Sequence, residues 1–518
     1  IYTSTPLDPK THPTMTATDN LLRIIDAAVV TPSDPSLPPR SLPFTFFDVE
    51  WLRPRPIPVQ RVFFYRLTST QHHHHGTAHQ LISDLKHSLS KALALFYPLA
   101  GHVRLTPGAR TSNRYELFYQ PGDGVAFTAA EYDRHVDDYL DDDPGLPVSI
   151  FAPLVPLLPK GRAVLAVQAT VLRGGLALGV TVHHSACDGA SSTHFLHTWA
   201  AACADTDMPP PPVIDRTLIA DPDNLYDVYY KGMSLPSDGG EIEFTGSTAS
   251  SYPEDRLVAT FTMSQELIQR IKDAITVEAA RQDDPTPFRC SSLLAAYSFI
   301  WSCYFRAKQS LQNPMPMDDG GQARARTYFL FAVDHRKRLN PPVPERYMGN
   351  CLSPAIAAAY QDELAGETTG GLFAAFTAIT GALKEAVGES SQERWERCMK
   401  RLSVAAKAGM LSVAGSPRFH VYDVDFGFGR PARVHMVSAA RTGSVSVSDP
   451  RDGRGGLDFG VPLPAGGMER FRRCFADACR DVGCVQESDK NFMGLRRPPE
   501  RVVESNFLQG EKPRSSTG

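Results

Sequence analysis

His184 and Asp188 stand four positions apart at the end of a stretch patterned to present them, and an imidazole so placed can move a proton near neutral pH. From Leu176 to Ser192 the chain reads LALGVTVHHSACDGASS. Leu176, Leu178, Val180 and Val182 alternate with smaller or polar residues, the period-2 pattern of a half-buried strand, and His184 continues their parity. Ser185, Ala186 and Gly189 favour a tight loop after the strand. Ser191 or Ser192 then caps a helix whose apolar face is Phe195, Leu196, Trp199 and Cys203. The expected order is strand, His-x-x-x-Asp-Gly loop, helix. In a chain with 16 histidines the spacing alone recurs by chance. The competing reading is a loop histidine bonded to a nearby carbonyl, with an aspartate ordering the turn.

The second constellation is VYDVDFGFGRP, residues 421 to 431. Asp425 precedes two glycines, Gly427 and Gly429, that bracket Phe428; glycines at a bend reach backbone conformations closed to other residues. Asp-Phe-Gly also occurs in protein kinases, but no glycine-rich phosphate loop and no His-Arg-Asp loop accompany it here, so that reading is set aside.

The chain that must position these residues has 518 of them, too many for one ordinary core, so two domains are expected. Hydrophobic content of 42% with 21% charged residues is globular composition, and a net charge of -4 gives no basic field for nucleic acid or an anionic membrane. No apolar run reaches transmembrane length; Leu293 to Phe305 is broken by Ser298 and Ser302 and reads as a buried helix. Nine cysteines without any C-x-x-C pair favour a reduced, cytoplasmic protein over a disulfide or zinc framework. His72 to His75 read as a solvated loop rather than a metal site or a tag.

Val164–Val171 and Leu176–Val182 form a hairpin through Arg173, Gly174 and Gly175. Four prolines from Pro209 begin an irregular crossing to about Ser251. Strands and helices resume beyond it, including helices Ser264–Arg281 and Ser292–Ala307 and one long helix from Gly370 to about Ala406. Strict βαβ alternation is absent, so the fold class is α/β with mixed sheets. The expected divisions are 15–208, a crossover at 209–251 and 252–485. Residues 1–14 and 486–518 are expected to be disordered extensions, with Met15 as the natural start.

His184-Ser-Ala-Cys-Asp188-Gly189, followed by Asp425-Phe-Gly-Phe-Gly429, resembles the paired HxxxDG and DFGWG signatures of the plant BAHD acyltransferase family. The resemblance runs from about residue 17 to 480, through TFFDVEWL (45–52), RVFFYRL (61–67), FYPLAG (96–101), DRTLI (215–219), FAVDHRKRL (331–339) and PRFHVYDVDFGFGRP (417–431). Tyr347-Met-Gly-Asn-Cys351 is similar to the YFGNC signature of the clade that acylates anthocyanins and other flavonoid or phenolic glucosides, often with malonyl-CoA. The fold implied is two similar chloramphenicol-acetyltransferase-like domains of mixed sheet and helices with a channel between them. The protein implied is a monomer that binds no metal or resident cofactor. It takes an acyl-CoA, malonyl-CoA first, as cosubstrate and a glycosylated phenolic as acceptor. A hydroxycinnamoyl-CoA donor and a non-catalytic paralogue are the alternatives.

The resemblance makes His184 the base that takes the acceptor's hydroxyl proton, and gives Asp188 and Gly189 the work of bracing the loop. His183 is then a packing neighbour, and a nucleophilic Cys187 conflicts with the direct transfer the family implies. Asp425, Gly427, Phe428 and Gly429 are fold-bracing residues. Phe428 departs from the family tryptophan and lacks its indole N–H; either an oxyanion donor is lost, or the aromatic only packs. Arg270, Lys272, Ser291 and Ser292 are the CoA-contact candidates. Asp334, Arg336 and Arg338 are candidates for the channel wall or for ordinary salt bridges. Arg173, in the hairpin turn, is the candidate for the malonyl carboxylate.

Overall fold

The computed structural model describes residues 22–52, 58–67, 78–108, 114–141, 144–161, 163–232, 252–282, 290–309, 324–388 and 391–483. The expectations for 1–14, 486–518, His72 to His75 and the later part of the crossover lie outside these residues.

Two large mixed sheets carry the described chain. The first is ordered Leu22–Val30, Val125–His135, Leu165–Arg173, Gly175–Val182, Val59–Arg66 and Arg433–Met436. The second is ordered Leu352–Tyr360, Arg326–Asp334, Leu411–Gly415, Val445–Ser448, Leu457–Pro464, Arg256–Met263 and Leu146–Pro147. The sheets exchange strands across the proline crossing. Arg433–Met436, from the second half, pairs with Arg61–Phe64, while Leu146–Pro147, from the first, pairs with Leu257–Val258. A cut at 209–251 therefore separates the connectivity but not the hydrogen-bonded sheets.

The strand Gly175–Val182 is buried on both faces, not half-buried. Leu176, Leu178, Val180 and Val182 join the larger core, and Ala177 joins a smaller cluster on the other side of the sheet. Its alternation came from small residues, not exposed ones: a Cβ on Gly179 would lie 2.0 Å from the Leu154 carbonyl oxygen. As an interior strand it is held by the antiparallel hairpin partner Leu165–Arg173 and by Val59–Arg66. Its C-terminal end is thus fixed from two sides.

The helix that follows runs Gly189–Ala204 and is capped by Asp188, earlier than Ser191 or Ser192. The carboxylate reaches the Ser191 N–H at 3.0 Å, the bond a serine at 191 or 192 would have supplied one turn later. The expected long helix from Gly370 is two, Thr368–Val387 and Gln392–Lys407. Gly388 ends the first and Ser391 caps the second by accepting from the Arg394 N–H, a stop and start signal that the apolar period runs across. The crossing is anchored where it is described: Arg346 donates to the Pro211 carbonyl at 2.7 Å, and Val213 bridges Tyr347.

Candidate active site

His184 stands two residues beyond its strand and is partly exposed, whereas His183 is fully buried. The His183 N–H donates to Val164 at 2.8 Å, and its Nδ1 accepts from the Ser185 backbone. Burial pushes the His183 pKa down to about 3, so it is a neutral packing residue.

Three segments distant in sequence hold His184. Trp51 stacks on the imidazole with ring centres 3.5 Å apart and planes at 12°. Asn350 bonds it from the other direction, Oδ1 to His184 Nδ1 at 3.1 Å. The amide's orientation is set by its own nitrogen, which donates to Asp48 Oδ1 at 3.0 Å and to the His184 carbonyl at 2.9 Å. Both partners of that nitrogen are acceptors, so Oδ1 faces the ring and can only accept. The proton is thereby held on Nδ1 and the lone pair on Nε2. Burial pushes the His184 pKa below its ordinary 6.5; Asp188 and the Asn350 bond pull the other way. The ring is neutral at pH 7.

Asp48 is itself fully buried, caps its short helix Phe46–Val49 through Thr45, and pairs with Arg216 at 3.2 Å. Arg216 also donates to the Tyr347 hydroxyl at 3.1 Å. Gly349 adopts φ +153°, and a Cβ there would fall 1.8 Å from Arg216 Nη1, so only glycine lets this arginine lie against the turn that carries Asn350.

Asp188 points away from His184 into a buried knot. Its oxygens accept from Arg336 at 2.8 and 3.1 Å, from the Cys351 N–H at 3.2 Å and from the Ser191 N–H. One carboxylate thus ties the loop, the following helix and the 347–351 segment together. Of the 334–338 block, Arg336 joins the interior and Arg338 stays exposed. Cys187 is buried and burial pushes its thiol pKa up, so no thiolate nucleophile forms there.

The other expected residues lie elsewhere. Asp425 Oδ1 accepts from the N–H groups of Gly427 at 2.8 Å and Gly429 at 2.9 Å, closing a bend in which both glycines have positive φ. Phe428 is buried edge-on against Tyr65 at 4.9 Å. Tyr65 pairs with Leu176, at the far end of the strand from His184, a separation of roughly 25 Å at about 3.3 Å per residue. An indole at 428 therefore reaches no oxyanion beside His184, which favours the packing reading. Phe428→Trp is expected to leave the turnover number unimproved and to cost about 1–3 kcal/mol of stability through overpacking, read by denaturant unfolding. A rise in turnover at constant KM contradicts this placement.

Arg173 does not stand at the histidine, contrary to expectation. It lies in the exposed hairpin turn, paired with Asp133 at 3.1 Å with both side chains 66% exposed, and the whole length of Gly175–Val182 separates it from His184. A hairpin places its turn and its strand end at opposite edges of the sheet, so a guanidinium there cannot meet an acyl group at the histidine. The CoA candidates also divide. Arg270 and Lys272 are two apart on the helix Gln265–Arg281 and project on different faces. Lys272 acts on Cys290, beside Ser291 and Ser292 at the start of the helix Ser292–Gln309, whereas Arg270 acts on Cys479 of the last helix.

Trp51, Asp48, Arg216 and Asn350 were within the recognised blocks, but nothing in their spacing assigned them to His184.

The Transferase family profile matches residues 21–477. The chain is 31% identical to phenolic glucoside malonyltransferase 1 of Arabidopsis thaliana, covering 86% of this chain and 95% of that protein. It is 30% identical to the malonyl-coenzyme A:anthocyanin 3-O-glucoside-6''-O-malonyltransferase of Dahlia pinnata, covering 89% and 98%. It is 28% identical to coumaroyl-CoA:anthocyanidin 3-O-glucoside-6''-O-coumaroyltransferase 1 of Arabidopsis thaliana, covering 87% and 96%. Its fold matches the crystal structure of vinorine synthase with a TM-score of 0.60 at 20% identity, covering 87% and 96%.

Proposed function

The chain belongs to the BAHD family of acyl-CoA-dependent acyltransferases, and from that premise we propose that it moves a malonyl group from malonyl-CoA to a sugar hydroxyl of a flavonoid, anthocyanin or phenolic glucoside. The observation that carries the chemistry is the Asn350 amide, whose own bonds turn Oδ1 to His184 Nδ1 and so place the ring proton there, with no partner for Nε2 among the described residues. The donor and acceptor rest on the names of the relatives at 30% identity and above.

In this reading Nε2 takes the proton of the acceptor hydroxyl as its oxygen attacks the thioester carbonyl carbon. The tetrahedral intermediate collapses with cleavage of the C–S bond, and the imidazolium returns the proton to the CoA sulfur. A positioned base of this kind supplies roughly 10²–10⁴-fold. Trp51 and Asn350 hold the ring, which removes its rotational freedom before substrate arrives. Asp188 and Arg336 hold the loop and do not touch the reacting atoms. A cytoplasmic monomer is part of the same proposal; no helix among the described residues is long and apolar enough to cross a membrane.

The test is a panel of malonyl-, acetyl- and coumaroyl-CoA against glucosylated phenolics and their aglycones, with product masses recorded. Malonyl esters formed on the glucosides alone are expected. Coumaroyl esters in their place would overturn the donor, and acylated aglycones the acceptor.

A further inference from the structure

Three buried arginines surround the His184 loop, and two of them have a carboxylate. Arg336 pairs with Asp188 and Arg216 with Asp48. The third, Arg61, is 4% exposed, and among the described residues no carboxylate lies within ion-pair distance of it. It sits on the strand Val59–Arg66 opposite Val180, on the face shared by Phe63 and Tyr65. Its Nη1 donates to Thr193 Oγ1 at 2.8 Å, and its guanidinium carbon is 5.6 Å from the centre of the Phe419 ring. Nε is buried without a partner among the described residues. Nη2 lies 3.5 Å from the point a Cβ on Gly189 would occupy, and Gly189 is partly exposed. Nη2, on the side of Gly189, makes no hydrogen bond to a described residue and is the guanidinium nitrogen left to receive an anion.

A guanidinium buried with one hydroxyl and one ring face is under-compensated. Burial without an anion is costly, and a single cation–π contact returns only part of that cost. Burial pushes the guanidinium pKa down to about 10, the direction expected of a cation that lacks a counter-charge. Its charge also acts on the His184 ring, so the two groups are within electrostatic reach of each other. An anion that accompanies the reacting carbonyl would complete the site. The CoA phosphates are held away from the thioester by the pantetheine arm, whereas a malonyl carboxylate is one methylene from the carbonyl.

We propose that Arg61 receives the terminal carboxylate of the malonyl group and is the donor-specificity residue that Arg173 is not. The inference rests on the malonyl reading above.

The experiment measures kcat/KM with malonyl-CoA and acetyl-CoA for the unmodified protein, Arg61→Met and Arg61→Lys, with ligand-induced melting shifts in parallel. Arg61→Met is expected to lower malonyl-CoA use by about 10²-fold or more and to change acetyl-CoA use only a few-fold. Arg61→Lys, which keeps a point charge without the fork, is expected to fall between. Malonyl-CoA should raise the melting temperature of the unmodified protein more than acetyl-CoA does, and the two shifts should become equal in Arg61→Met. That variant should itself melt no lower than the parent, because an unpaired buried charge has been removed. Should Arg61→Met fail to fold, Arg61→Lys carries the test through the same ratio of donors. Equal losses with both donors, or an unchanged malonyl preference, overturn the role of Arg61 and leave the malonyl reading standing. An unmodified protein that refuses malonyl-CoA overturns both.

Discussion

Replacing His184 by alanine is expected to lower acyl transfer by about 10²–10⁴-fold while the fold survives. His184 is partly exposed and stands two residues beyond a strand whose own side chains, from Leu176 to Val182, are packed without it. Its loss removes a stacking partner of the partly exposed Trp51 and one hydrogen bond to the buried Asn350. Asn350 still keeps the Asp48 carboxylate and the backbone carbonyl at position 184. The damage should therefore fall on kcat, with the melting temperature nearly unchanged and CoA binding preserved. A variant that keeps most of its activity removes His184 from the chemistry. One that aggregates moves it into the structural class. His183→Ala supplies the contrast: it empties a fully buried site and should reduce stability first.

Asp188→Ala is expected to act in the opposite order, through the fold. It leaves Arg336, 2% exposed, with only the longer contact at 3.4 Å to the half-exposed Asp334, a poor compensation for a buried charge, and frees the Cys351 and Ser191 N–H groups. Breaking a buried pair by removing one partner costs about 3–5 kcal/mol, because the remaining charge is uncompensated. Soluble yield, melting temperature and activity should drop together. Removing the second charge as well, in Asp188→Ala with Arg336→Met, should recover part of the stability, since the uncompensated guanidinium is then gone. Activity lost at unchanged stability would give Asp188 a direct chemical role and contradict its placement.

What the sequence made legible follows from the range of the interactions. The strand, loop and helix around His184 are encoded locally, by alternation and a cap, and they were readable to within a few residues. The cap is Asp188 and not Ser191 or Ser192: all three residue types cap helices, and the sequence alone does not rank them. The burial of the strand's second face is hidden in the sequence, since the small Ala177 and the bare backbone of Gly179 resemble the polar side of an amphipathic pattern. The partners of His184 were beyond reach. Asp48 and Asn350 are 302 positions apart, and His184 and Asn350 are 166 apart. Only pairing of the sheets and the crossing segment brings them together. Arg173 shows the converse failure: closeness in sequence to a motif strand was read as closeness in space, and a strand's length intervened. Arg61 opens the block RVFFYRL, and nothing in that block marks it as lacking a counter-ion, which is a property of the packed interior alone.

The central claim is that a neutral His184 removes the acceptor's proton, and the pH dependence of kcat/KM tests it most directly. Burial holds the His184 pKa below 6.5 in the folded protein, and only the unprotonated ring can act as base. Activity should therefore rise with pH through an acid limb centred below 6.5, reach its plateau by neutral pH, and lose that limb in whatever residual rate His184→Ala retains. An acid limb centred at or above pH 7, or one that survives unchanged in His184→Ala, would contradict the account.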